Sequence, residues 1–337
     1  MAKSKTSRHR SLTVALAAAV AMPLQIAVAN AQDFSAVEIE TLHVAGNVYM
    51  LVGAGGNMAL SVGDDGILLV DSQLSPLTDA ILAAIAELSE HEVSFVINTH
   101  AHADRSGGNE NLRRRGATII AHENVRTQLA SGSPDDRTPD PDDRIPPAPA
   151  DALPTVTFAE RLTLHFNGED IDIIAAPPGH TNGDSFVFFR GSNVLHMGDT
   201  LVTGGFPVVD RSLGGSVQGI IEGLNLGLEL AIAAPGFLSG EGNKPGSWPP
   251  PSGQEEVTDT IIVPGHGRLY DQGDLVQYRD MVNIIRDRVA DLVQRGMSFE
   301  QVAAADPTLG WNRWYGSDTP PYTTERFLLA LYAELAE

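Results

Sequence analysis

Val93-Ser94-Phe95-Val96-Ile97-Asn98-Thr99-His100-Ala101-His102-Ala103-Asp104-Arg105 is the stretch on which the fold turns. Its first six residues are apolar and β-branched, the composition of a short buried strand. The residues that follow, Ser106-Gly107-Gly108-Asn109, read as a turn feeding a helix. Two imidazoles and a carboxylate therefore leave the end of a strand together. In an extended loop His100 and His102 project to one side and can chelate one ion, and Asp104 reaches a neighbouring one. Imidazole and carboxylate suit a borderline cation such as zinc.

A His-x-His pair alone is often a surface accident. Here it has company: two more histidines sit in glycine-flanked strand-to-loop junctions, at Pro177-Pro178-Gly179-His180-Thr181 and Val263-Pro264-Gly265-His266-Gly267. An aspartate sits in a third, His196-Met197-Gly198-Asp199-Thr200. Four strand ends that each offer a ligand form a pattern.

Upstream, three strand-like runs (48–52, 58–62 and 66–71) are separated by glycine-rich hairpin turns. Asp71 closes the third, where it either supports a ligand histidine or serves a turn. A helix opens at Ser75-Pro76 with Leu77, Ile81, Leu82, Ile85 and Leu88 on one face. After the His/Asp loop the pattern predicts a helix over 110–115, a strand over 117–121 and a helix from His122, which reads as structural. Residues 131–154, rich in Pro, Asp and Ser, read as a long exposed loop. Strands return at 162–166, 171–175, 185–189, 193–196 and 261–263, the last three junctions being loops that leave them. The segment 204–219 has no regular period, 224–233 reads as helix, and 235–256, with Trp248, as an insertion. An amphipathic helix spans 274–295, Ser298-Phe299-Glu300-Gln301 is a capping box, and a last helix begins near Thr324.

Composition sets further bounds. With 42% hydrophobic residues the chain of 337 can hold one large domain. It has no cysteine, which excludes disulfides, thiol nucleophiles and thiolate ligands. Residues 1–31 carry a basic start, an apolar alanine-rich run and Ala29-Asn30-Ala31 before Gln32, the form of a cleavable signal peptide. Removing it takes away four positive charges and no acids, leaving −25 from −21. Such a surface repels nucleic acid and anionic lipid. The expectation is a soluble periplasmic or secreted protein, residues 32–337 forming one domain, with a small-molecule substrate and no stable membrane association.

The four pieces, in this order, resemble the metallo-β-lactamase superfamily over roughly residues 40 to 295. The resemblance implies a four-layer αβ/βα sandwich of the α/β class. It implies two Zn2+ ions, the first on His100, His102 and His180, the second on Asp104, Asp199 and His266. The second is expected to bind more weakly, because Arg105 stands where a sixth ligand is commonly histidine, and a guanidinium has no lone pair to give. The His-x-His-x-Asp-Arg form is similar to the true β-lactamases that place a cysteine on the second zinc; Asp199 stands in its place here. Arg105 is expected to pair with Asp199 or Asp104. The resemblance further implies hydrolysis of a cyclic amide or ester by zinc-activated water, with Asp104 orienting the nucleophile. β-Lactam opening, and with it antibiotic resistance, is the leading expectation, although no lysine follows Asp199 to seat a substrate carboxylate, and Arg211 and Lys244 are poor substitutes. A lactonase or glyoxalase II-like thioester hydrolase is one alternative. The other is a non-catalytic metal-binding or interaction protein that kept the fold.

Overall fold

Runs of β-branched and apolar residues, broken by Gly, Asp and Asn turns, form two sheets in the computed structural model, which describes residues 34, 36–134, 144–231, 259–319 and 323–337. The first contains β1 (Glu40–Ala45), β2 (Val48–Gly53), β3 (Gly56–Gly63), β4 (Gly66–Val70), β5 (Val93–Asn98) and β6 (Thr118–His122). A small ladder of β7 (Ser133–Pro134) and β8 (Arg144–Ile145) precedes β9 (Val156–Phe158), which closes the seven-stranded order β1-β2-β3-β4-β5-β6-β9. Neighbours through β4 are antiparallel hairpins; from β4 onward they are parallel. Parallel pairs need crossovers, here α1 (Thr78–Ala86), then the short α2 (Ala103–Ser106) with α3 (Asn109–Arg114), then α4 (Glu123–Ser131). The second sheet runs β10 (Arg161–Phe166), β11 (Glu169–Ala175), β12 (Ser185–Phe189), β13 (Val194–His196), β14 (Ile261–Val263) in chain order, its last pair parallel.

Side chains alternate between faces, and that sorts the core into layers. Ile171, Ile173, Val187, Phe189, Ile261 and Val263 meet Leu68, Val70, Ile97 and Ile120 between the sheets. Their neighbours Phe186, Leu195 and Ile262 face outward instead, onto α5 (Val217–Leu230), α6 (Gln272–Gln294) and α9 (Thr324–Leu335). On α6, Leu275, Tyr278, Met281, Val282, Ile285 and Val289 form the buried stripe; each such burial contributes roughly 1.5–3 kcal/mol. The short α7 (Phe299–Ala304) begins with the Ser298/Gln301 capping box, and α8 (Asn312–Tyr315) follows. Helix, sheet, sheet and helix make the four-layer αβ/βα sandwich expected from sequence.

Two local readings change. Helix α5 begins at Val217, seven residues before the expected start, because Gly219, Gly223 and Gly227 conceal it. They are spaced four apart on one face, where the helix backbone lies against other chain: a Cβ on Gly219 would stand 1.7 Å from the Pro178 carbonyl oxygen. The stretch 131–154 is not all loop, since Ser133–Pro134 pairs with Arg144–Ile145 and Ala150–Ala152 forms a 3-10 turn. The Gly53–Asn57 turn lies against the candidate site: a Cβ on Gly55 would stand 2.8 Å from Asp104 Cβ, and one on Gly56 2.7 Å from His266 Nδ1. Gln73 accepts from the Gly55 amide (2.6 Å) and donates to the Gly56 carbonyl (2.5 Å), and the Asn57 amide donates to the Gly265 carbonyl (2.8 Å). The leader at 1–31 and the insertion with Trp248 lie outside the described residues.

Candidate metal centre

The loop 99–105 is held at both ends. At its start, Asp71 at the end of β4, in a left-handed conformation (φ 67°), accepts the Thr99 amide and hydroxyl, each at 2.8 Å. At its far end, the Arg105 carbonyl accepts from the Ser72 amide (2.8 Å) and Asn98 Nδ2 (2.9 Å). Between these clamps His100, His102 and Asp104 are presented on one side. His180 leaves β11 on a turn organised by buried Asp184, which accepts the His180 amide (2.7 Å) and the Thr181 hydroxyl (2.7 Å). Burial raises the Asp184 carboxyl despite these bonds. Asp199 follows β13 in a 3-10 turn, and His266 follows β14.

The six expected ligands converge as two triads, His100/His102/His180 and Asp104/Asp199/His266, each with its ligand atoms within 4.8 Å of one another. Asp199 lies between them: its Oδ2 is 3.8 Å from His100 Nε2, 3.8 Å from His180 Nε2 and 3.5 Å from His266 Nε2. Gly265 permits this packing, because a Cβ there would stand 1.8 Å from Asp199 Oδ1.

The fit to a metal is tested by where the imidazole protons must go. His102 Nε2 faces Asp210 Oδ2 at 2.9 Å, and His180 Nδ1 faces the Val208 carbonyl at 2.9 Å. His100 Nδ1 faces Thr99 Oγ1 at 3.2 Å, while that hydroxyl donates to Asp71. Every outer nitrogen thus donates to an acceptor, which assigns the lone pairs to the inner ones. Those inner atoms, His102 Nδ1 and His180 Nε2, are 2.9 Å apart, and His100 Nε2 is buried with no hydrogen-bond partner. Three converging lone pairs in a buried pocket suit a cation. Burial, reinforced by its cationic neighbours, holds His100 well below the ordinary histidine range, so it is neutral and ready to coordinate. Burial also opposes protonation of His102, but the Asp210 hydrogen bond and the Asp104 charge outweigh it and raise that ring.

The second triad is built differently. Arg105, wholly buried, reaches Asp199 Oδ1 at 2.5 Å, Asp104 Oδ2 at 3.5 Å and Asp71 Oδ2 at 3.9 Å, and donates to the carbonyls of Asn57 (3.1 Å) and Gly265 (3.2 Å). Burial opposes ionisation of Asp104 and Asp199, yet the guanidinium holds both well below the usual carboxylate range. Asp71, also beside it, is pushed up to about 7 by burial, against the pull of Arg105 and Thr99. His266 is opposed by burial as well, but the carboxylates of Asp199 and Asp104 carry it up to about 9.

Several contributors had no periodic signal in the sequence. Asp210, which backs His102, lies in the aperiodic 204–219 segment, as does Val208. Asn57 reaches the His266 loop, donating to the Pro264 and Gly267 carbonyls, both at 2.9 Å. Arg326 from α9 lines the cavity beside Asp199 and His266. Arg211 is turned to the C-terminus, 2.5 Å from Glu337, and Lys244 is outside the described residues. His122 is structural as expected: its Nδ1 accepts the Asn124 amide at 3.1 Å, capping α4.

The profile of the metallo-beta-lactamase superfamily matches residues 51–266, and the chain belongs to that superfamily. A metallo-beta-lactamase type 2 of Bacillus cereus is 25% identical over 219 residues, 64% of this chain and 69% of that one. The alpha subunit of a 2,4-dinitroanisole O-demethylase from Nocardioides sp. (strain JS1661) is 26% identical over 48% of this chain, which spans only 46% of that protein. A hydroxyacylglutathione hydrolase of Synechococcus sp. (strain JA-3-3Ab) is 32% identical over 38% of this chain and 42% of its own length. Among solved structures, a metallo-beta-lactamase from Pontibacter korlensis superposes with a TM-score of 0.52 at 16% identity, covering 73% of this chain and 99% of that one. The chain is a metal-dependent hydrolase of this superfamily.

Proposed function

We propose that the protein is a zinc hydrolase of cyclic amides and esters, β-lactams among them, exported to the periplasm or beyond. The observation that carries this reading is the orientation of the three inner histidine nitrogens, each made a lone pair by the acceptor behind it. One zinc would sit on His100, His102 and His180, and a second, held more weakly, on Asp104, Asp199 and His266. Zinc bound there supplies Lewis acidity and a water that ionises near neutral pH.

The chain's own groups do the rest. Asp210, Val208 and Thr99 keep the three rings in the tautomers that coordinate. Asp104, part exposed and kept ionised beside Arg105, accepts a hydrogen bond from the attacking water and orients it. Arg105 neutralises Asp199 and Asp104, so these carboxylates lie close together without mutual repulsion. Arg326 of α9 lines the adjoining cavity. The anionic composition and the small enclosed site favour a small-molecule substrate over nucleic acid.

The test is turnover by zinc-loaded protein of a chromogenic cephalosporin, a homoserine lactone and S-lactoylglutathione, with zinc counted per chain. Chelator-sensitive opening of the cephalosporin supports the proposal. Turnover of the lactone or thioester alone reassigns the substrate to the lactonase or glyoxalase II-like class, and zinc bound without any turnover leaves a binding protein.

A further inference from the structure

The cavity beside the second triad is walled by two segments far apart in the chain. One wall is the loop 202–209 after Asp199, contributing Phe206, Val208 and Val209; the other comes from α8 and α9, contributing Tyr315 and Phe327. Asp199 and His266 are among its lining residues, and its volume is about 330 Å³, at the small end of the range for small-molecule sites. Its rigidity has a visible source: the rings of Phe206 and Phe327 stack at 5.2 Å and 8°, and Tyr278 Oη donates to the Gly205 carbonyl at 3.0 Å. The α8–α9 wall lies beyond residues 51–266, where the superfamily profile matches. The lining thus joins a loop inside the matched range to helices outside it. The same loop positions a ligand, because the Val208 carbonyl holds His180 Nδ1 at 2.9 Å.

Resting on the hydrolase reading, we propose that this chamber receives a hydrocarbon arm of the substrate, so that the preferred lactones, esters or lactams are alkyl- or aryl-substituted rather than bare rings. The wall also carries Thr203, Ser317, Thr323 and Arg326, but its apolar part gains about fourfold in affinity for each methylene removed from water. The arm then lies against the loop that carries Val208, with the scissile group at the triads.

The experiment uses zinc-loaded full chain and γ-lactones whose ring carries hydrogen, ethyl, pentyl or heptyl. Specificity (kcat/KM) should climb about fourfold per methylene until the chamber is full, then level off. Calorimetric titration with the matching 4-hydroxy acids reads the same climb without turnover, so the chamber is tested even if lactones prove poor substrates. Val209→Trp should collapse the pentyl-to-hydrogen ratio towards one in both measurements, while Val209→Ala should move the plateau to longer arms; zinc content and thermal midpoint confirm each fold. A flat series in the parent chain, or a ratio untouched by Val209→Trp, overturns the chamber. Failure of every substrate with a normal binding series would instead overturn the hydrolase reading and leave the chamber standing.

Discussion

Replacing Arg105 by methionine removes the guanidinium that pairs with buried Asp199, leaving the more exposed His266 beside it. Arg105 is 0% exposed and Asp199 5%, and their atoms are 2.5 Å apart. Taking away one partner of such a pair leaves an uncompensated buried charge and costs about 3–5 kcal/mol. Two conditions should separate this from a simple packing loss. In chelator, urea unfolding of Arg105→Met should show the full penalty relative to the parent. With free zinc at about a hundred times the dissociation constant of the second site, roughly 2.7 kcal/mol should return, because the cation takes over the carboxylates that Arg105 released. Arg105→His goes further by adding a ligand, and zinc content after dialysis should rise from near one to near two per chain. The reasoning is refuted if metal-free Arg105→Met unfolds within about 1 kcal/mol of the parent, or if zinc restores nothing.

Other perturbations read the remaining parts of the centre. Asp210→Ala strips the acceptor from His102 Nε2 and should weaken zinc at the histidine triad by 10–100-fold in a competition titration, with Asp104 and His266 unchanged. Gly265→Ala places a Cβ where Asp199 Oδ1 now lies, 1.8 Å away; the second zinc should be lost and the melting point should drop. His266, pushed up to about 9 in the metal-free chain, is protonated at neutral pH, so zinc entering the second triad must release a proton. Its affinity should strengthen with pH up to about 9, as measured by titration in buffers of different ionisation enthalpy. The sign is opposite for metal-free stability: this raised pKa stabilises fully below about 6.5 and the contribution fades as pH rises through about 9.

Much of this centre was legible in the chain because strand ends are local features. A β-branched run closed by Thr99-His100-Ala101-His102, or by Pro178-Gly179-His180, announces both the strand and the group it delivers. The amphipathic stripe of α6 and the Ser298/Gln301 cap were equally plain, since helical period and capping chemistry act within a turn or two. Helix α5 was half hidden because its glycines serve close approach to Pro178 and Thr200 rather than helix propensity, and no local rule sees a neighbour that far along the chain.

The sequence by itself determined the candidate ligand types, their order and the arginine that follows Asp104, because each depends only on which side chain stands at which strand end. Tertiary structure alone decided the support: Asp210 and Val208 behind the histidines, Arg105 turned to Asp199, and a cavity lined in part by α8 and α9. These contacts join residues up to about a hundred or more positions apart, and nothing in local propensity encodes a hydrogen bond whose partner arrives only when two sheets pack face to face.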